Sequence, residues 1–141
     1  MGWPYEAHLR PLEPMKPTAL LTITSLLSIL LMTLHITDDI QRGLSPAAAD
    51  NVFGVVILAV WLVGTLLLTE RRSGYVIMLL GGLFAAAMPV LHMTGAGYGA
   101  IAKSSGGFFF VWTLFAVGST GTFSVILSAR ALWLLRSGKP R

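Results

Sequence analysis

The sequence predicts an all-α protein, a four-transmembrane-helix bundle of up-down-up-down topology. Three observations carry this. The chain has 141 residues, 55% hydrophobic and 11% charged. A water-soluble domain carries about 25% charged residues, so this chain cannot cover a globular surface in water. It contains four apolar runs free of Asp, Glu, Lys and Arg, and a bilayer core of about 30 Å takes about 20 residues of helix. The basic residues gather at alternate ends of these runs, as membrane orientation requires. A soluble enzyme, a nucleic-acid-binding domain and a disordered tail are excluded, although the net charge is +4. No cysteine is present, which excludes disulfides, iron–sulfur clusters, thiolate metal sites and haem attached through Cys.

Residues 1–16, with Pro4, Pro11 and Pro14, read as a polar cytoplasmic arm. Either Met1 or Met15 would serve as the start. The membrane domain is expected over 17–136. Span one, 18–36, is too long for the apolar core of a signal peptide and reads as an uncleaved anchor. The connection 37–50 holds Asp38, Asp39 and Arg42 and is broken by Ser45-Pro46. Span two covers 51–69, and the tight turn ERRSG (70–74) leads into span three, 75–94. The glycine-rich 95–106 reads as a flexible loop. It follows no strand, so its glycines are not a dinucleotide fingerprint. Span four is expected over about 107–129, and 137–141 form a basic cytoplasmic tail.

Eight basic residues (Arg10, Lys16, Arg71, Arg72, Arg130, Arg136, Lys139, Arg141) fall on one side of the membrane and two (Arg42, Lys103) on the other. The positive-inside rule then places both termini in the cytoplasm, in what is expected to be a bacterial cytoplasmic membrane. Tyr98, Phe108, Phe109, Phe110 and Trp112 would form the outer aromatic belt, with Tyr75 and Trp133 at the inner one. Trp61 lies near mid-span, where it is expected to pack as bulk against a neighbouring helix.

Spans one and three end alike, Leu34-His35-Ile36-Thr37 and Leu91-His92-Met93-Thr94, at an offset of 57 residues. This suggests two helical hairpins of one kind. The two spans then run parallel and diagonal to each other, with His35 and His92 at equal depth in the last outer turn. His35 continues a stripe of Thr18, Thr22, Ser25, Ser28 and Met32. His92 continues one of Met78, Gly81, Gly82, Ala85 and Met88. Small residues of this kind mark helix contact faces in membranes.

At a helix end, both imidazoles could simply reach interfacial water or a free carbonyl. Alternatively they could share a ligand. Paired histidines on parallel helices resemble, in geometry alone, the ligand arrangement of b-type membrane cytochromes. That resemblance implies haem b between His35 and His92, with nitrogens roughly 4 Å apart, twice a metal–nitrogen bond of ~2.0 Å. A divalent metal held by His35, Asp38, Asp39 and His92 is a further reading, two nitrogens and two carboxylates suiting zinc or iron. A quinone or lipid headgroup beside His35, Thr37 and Phe108 to Phe110 is another.

No span carries a carboxylate, which argues against a proton-coupled exporter, or a charge series for voltage sensing. No nucleophile stands beside a base, so an enzyme is not expected. Size and span number are similar to those of small bacterial four-helix membrane proteins such as the DoxX-like ones, without a diagnostic motif. The expected role is a non-enzymatic membrane protein, with the lipid bilayer as its solvent, packing with itself or a larger membrane complex. Nucleic acid is not an expected partner. The alternative is haem- or metal-based electron transfer through His35 and His92.

Overall fold

The computed structural model describes residues 16–44, 48–95 and 97–138, with 48–50 given by backbone alone. The polar arm up to Met15, the Ser45-Pro46 break and the last three tail residues lie outside the described residues. Five helices follow in order: α1 (Pro17–Gln41), α2 (Ala48–Leu66), α3 (Arg72–Met93), α4 (Tyr98–Lys103) and α5 (Gly107–Ser137). No strand occurs among the described residues. Three helices, α1, α3 and α5, are long and apolar enough to cross a membrane, whereas the apolar part of α2 described in full, Asn51–Leu66, is shorter.

Helix α1 starts on Pro17, whose missing N–H costs nothing at a first helical position. It runs a full turn beyond the expected end at Ile36, so Asp38 and Asp39 belong to the helix and not to the following loop. The helix stops at Gly43, which takes φ +70°. There the Leu44 N–H bonds the Asp39 carbonyl at 2.9 Å and the Gly43 N–H bonds the Ile40 carbonyl at 3.1 Å. This is the paired closure of a helix on a left-handed glycine.

Helix α2 ends at Leu66, and the chain turns over 67–71, three residues earlier than expected. Glu70 stands there at φ +70°. Helix α5 continues past the expected 129 to Ser137, which makes it about 46 Å long at 1.5 Å per residue. The glycine-rich 95–106 is more than a loop. Ala100, Ile101 and Ala102, good helix formers between glycines, sit in α4, and Ile101 packs against the core.

The four long helices close a ring: α1 packs on α2 and α5, and α3 packs on α2 and α5. Helices α1 and α3 touch across the diagonal. The small-residue stripes sit inside this ring. A methyl group on Gly121 would lie 2.6 Å from Ala85 Cβ and 2.8 Å from the Gly82 carbonyl, and one on Gly118 would meet Pro89 Cγ at 2.5 Å. The α3–α5 contact thus takes up Gly82 and Ala85 of the α3 stripe within the chain.

Trp61 is fully buried over Gly81. Bulk packing is only half its role, because its indole N–H donates to Ser25 Oγ at 2.8 Å. Thr65 donates to the Trp61 carbonyl at 2.9 Å, so Ser25, 2.8 Å from Thr65 Oγ1, donates its proton there. Each donor in this chain has an acceptor, as an apolar surrounding demands.

Candidate functional site

At one end of the bundle α1 brings His35 and Asp39 to the same face, one turn apart, and α3 brings His92 across the diagonal. What holds His92 inward is local. Beyond Pro89, the residues Val90, Leu91 and Met93 are all exposed. His92 turns the other way, with its Nδ1 3.1 Å from the Met88 carbonyl. A carbonyl only accepts, so that nitrogen carries the proton.

His35 is fully buried. Its Nδ1 lies 3.2 Å from Thr113 Oγ1, and the Thr113 hydroxyl donates to the Phe110 carbonyl at 3.0 Å. The threonine oxygen therefore accepts from His35, and Nδ1 is again the protonated nitrogen. Both rings consequently turn their Nε2 atoms to the same point.

The carboxylate of Asp39 occupies that point. Its Oδ2 is 3.2 Å from His92 Nε2 and 3.9 Å from His35 Nε2. One ligand atom from each of the three residues lies within 4.8 Å of the other two. His35 Nε2 and Asp39 Oδ1 are buried with no hydrogen-bond partner among the described residues. These two acceptors thus lie in a poorly solvated corner without a donor, and a buried acceptor without a donor costs about 1–3 kcal/mol. A proton on His92 Nε2 would satisfy Asp39 Oδ2 alone, whereas a cation among the three would satisfy His35 as well. The corner opens to the end of the bundle on one side, since His92 is 24% exposed and Asp39 16%.

Tetrahedral coordination at bonds of about 2.0–2.1 Å puts ligand atoms roughly 3.3 Å apart. The 3.2 Å and 3.9 Å separations from the carboxylate bracket this value, and the two imidazole nitrogens, within 4.8 Å of each other, would draw together around an ion. Each ring also gives its other N–H to an acceptor, Met88 or Thr113. Metal-ligating histidines almost always have such a partner, which holds the tautomer and the ring plane.

Of the four residues grouped from the sequence as metal ligands, His35, Asp39 and His92 come together and Asp38 does not. One step of 100° around α1 carries its carboxylate to Arg42 Nε at 2.7 Å. The haem arrangement between His35 and His92 does not fit. The ring centroids are 4.9 Å apart at 74°. Two nitrogens in trans across an iron, about 4 Å apart, would leave the centroids farther apart by both ring radii. The gap also holds the Asp39 carboxylate, and the buried Phe110 ring stands 5.1 Å from His35 and 5.7 Å from His92. No slot for a macrocycle remains.

The quinone pocket does not form either. Thr37 is exposed and donates to its own helix at the Thr33 carbonyl. Phe108 is 83% exposed and Phe109 is exposed too, so only Phe110 of the three reaches the histidines.

Sequence reading gave no site role to Thr113 or Arg42, and it did not separate Phe110 from Phe108 and Phe109. Phe110 was counted as part of the aromatic belt, because nothing in the run Phe108 to Trp112 tells the inward ring from the outward ones. Arg42 ties the end of α1 to the chain before α5. Its Nη1 donates to Ser104 Oγ at 3.0 Å and to the Ser105 carbonyl at 3.3 Å, while its guanidinium lies 5.9 Å above the Phe110 ring. Comparison with family models, curated proteins and solved structures found no match.

Proposed function

We propose that this is a four-span membrane protein that binds one divalent transition-metal ion through His35, Asp39 and His92 at the outer end of its bundle. The observation that carries the reading is the convergence of both Nε2 atoms on the Asp39 carboxylate, with each Nδ1–H already engaged elsewhere. Two imidazoles and a carboxylate suit zinc or ferrous iron better than magnesium or calcium, which take oxygen ligands.

The fourth span is α2. Its 19 residues are about 28 Å long, close to the hydrocarbon thickness of about 30 Å, and it fills the place between α1 and α3. An even number of spans returns the chain to its starting side. The distribution of eight basic residues against two supports cytoplasmic termini and an outward-facing histidine end.

The role is binding and not passage. Beneath His35 the core is filled by Met32, Met88 and Leu114, and farther along by the Trp61–Ser25–Thr65 hydrogen bonds. An ion reaching the site leaves by the same end. The test is metal analysis of protein purified without chelator. About one zinc or iron per chain is expected, lost in His35→Ala, Asp39→Ala and His92→Ala and retained in Asp38→Ala. A metal-free wild type that also fails to take up added zinc would sink the proposal.

A further inference from the structure

At the end opposite the histidines, the start of α3 and the last turns of α5 lie side by side. A groove of about 720 Å³ separates them, lined by Arg72, Val76, Leu132, Trp133, Leu135 and Arg136. Its walls are apolar and two guanidinium groups stand at its rim, both exposed. Arg136 is in the last turn of α5, where the negative end of the helix dipole favours a cation. Arg72 has the opposite setting. It opens α3 directly after Arg71 at the N-cap, with no acidic residue in the first turn and no capping side chain. The helix dipole is positive there, so helix and arginines repel each other. Among the described residues Glu70 brings one carboxylate to the turn that holds Arg71 and precedes Arg72, with Arg136 on the same groove as Arg72. The surplus positive charge lies over an apolar channel, and Trp133 marks the level at which indoles meet headgroups.

We infer that this groove binds an anionic phospholipid, with the headgroup phosphate between Arg72 and Arg136 and an acyl chain along Val76, Leu132 and Leu135. Basic pockets between membrane helices on the cytoplasmic side recognise such lipids by charge, each arginine adding to the attraction. A free phosphate ion would use the arginines alone, and in zwitterionic phosphatidylcholine the choline cation offsets the attraction of its phosphate to the arginines. An anionic lipid uses the arginines and the apolar wall together. The inference rests on the chain lying in a bilayer and is independent of the metal reading.

The full-length chain, purified in neutral detergent, is titrated with dioleoyl phosphatidylglycerol, dioleoyl phosphatidylcholine or inorganic phosphate. Bound lipid is read by native mass spectrometry and the unfolding midpoint by thermal melt. Phosphatidylglycerol should be retained and should raise the midpoint, and the other two should do neither. Arg72→Gln and Arg136→Gln should each weaken retention about fivefold, and His92→Ala should leave it unchanged. Arg130→Gln, on a separate cleft with Tyr75 and Leu127, should also leave it unchanged. Equal retention of phosphatidylcholine, equal stabilisation by phosphate, or undiminished phosphatidylglycerol binding in both single variants would overturn the assignment. So would an Arg130→Gln loss as large as theirs.

Discussion

His92 Nε2 lies 3.2 Å from Asp39 Oδ2, and these two atoms join helices that otherwise touch only across the bundle diagonal. His35, one turn before Asp39, is drawn into the same corner by a hydroxyl on a third helix. Three elements therefore meet around these two imidazoles, and several of the following outcomes depend on that meeting.

An ion that binds the folded chain and not the unfolded one stabilises it by mass action, by about 2.7 kcal/mol at a concentration one hundred times Kd. Added zinc should therefore raise the unfolding midpoint of the wild type, and a chelator should reverse the gain. His92→Ala should show no zinc response in the same melt. A zinc response of equal size in that variant would place the ion elsewhere.

Both imidazoles must offer a lone pair to hold an ion, so protons compete with it. Zinc affinity should fall on acidification from about pH 7.5 to about pH 5.5, measured by competition with a chromophoric chelator. The zinc-dependent part of the stability should fall with it, while the zinc-free melt sets the baseline. A pH-independent affinity would mean that no imidazole is a ligand.

Thr113→Val keeps the shape of the side chain and removes the oxygen that accepts from His35 Nδ1. A partner of this kind typically contributes 10–100-fold to metal affinity. Zinc binding should weaken by about that factor, and Thr113→Ser should restore it. Unchanged affinity in the valine variant would show that Thr113 does not orient the ring.

Gly121→Val would drive a side chain into Ala85 and the Gly82 carbonyl on α3, where neighbouring backbone cannot yield. Overpacking of this kind costs about 1–3 kcal/mol or more. A lower unfolding midpoint is expected, with Gly99→Ala, in open space, as the neutral comparison. An unchanged midpoint for Gly121→Val would mean that α3 and α5 are not in close contact.

Trp61→Phe retains most of the bulk over Gly81 but leaves Ser25 without its indole donor. Hydrogen bonds between membrane helices contribute about 0.6 kcal/mol on average and up to about 1.7 kcal/mol. A loss in that range is expected in a reversible unfolding assay. Trp61→Phe combined with Ser25→Ala should cost less than the sum of the two single changes, because both remove the same bond.

The apolar runs were legible because hydropathy and helix length are local properties. Hydrocarbon surroundings would leave a backbone with no other way to satisfy its polar groups than to coil, and 18–36, 75–93 and 107–129 each appear within a longer helix. Their ends were less legible. Asp38 and Asp39 read as loop because charges normally mark the end of a span, yet Asp38 pairs with Arg42 one turn on and keeps α1 helical to Gln41.

The sequence by itself determined the helical class, three helices long and apolar enough to cross a membrane, and the equal level of His35 and His92, since parallel helices of similar length bring their ends together. Only the tertiary structure decided what that meeting is for. Whether the His35 imidazole offers a lone pair or an N–H group at this corner depends on a partner distant in sequence. Thr113 lies 78 residues from His35, on a helix whose rotation is set by Gly118 and Gly121 against Pro89 and Ala85. No local pattern encodes a rotation fixed by close packing, so the separation of Asp39 from Asp38 and the closing of the haem slot by Phe110 emerge only when the helices are docked.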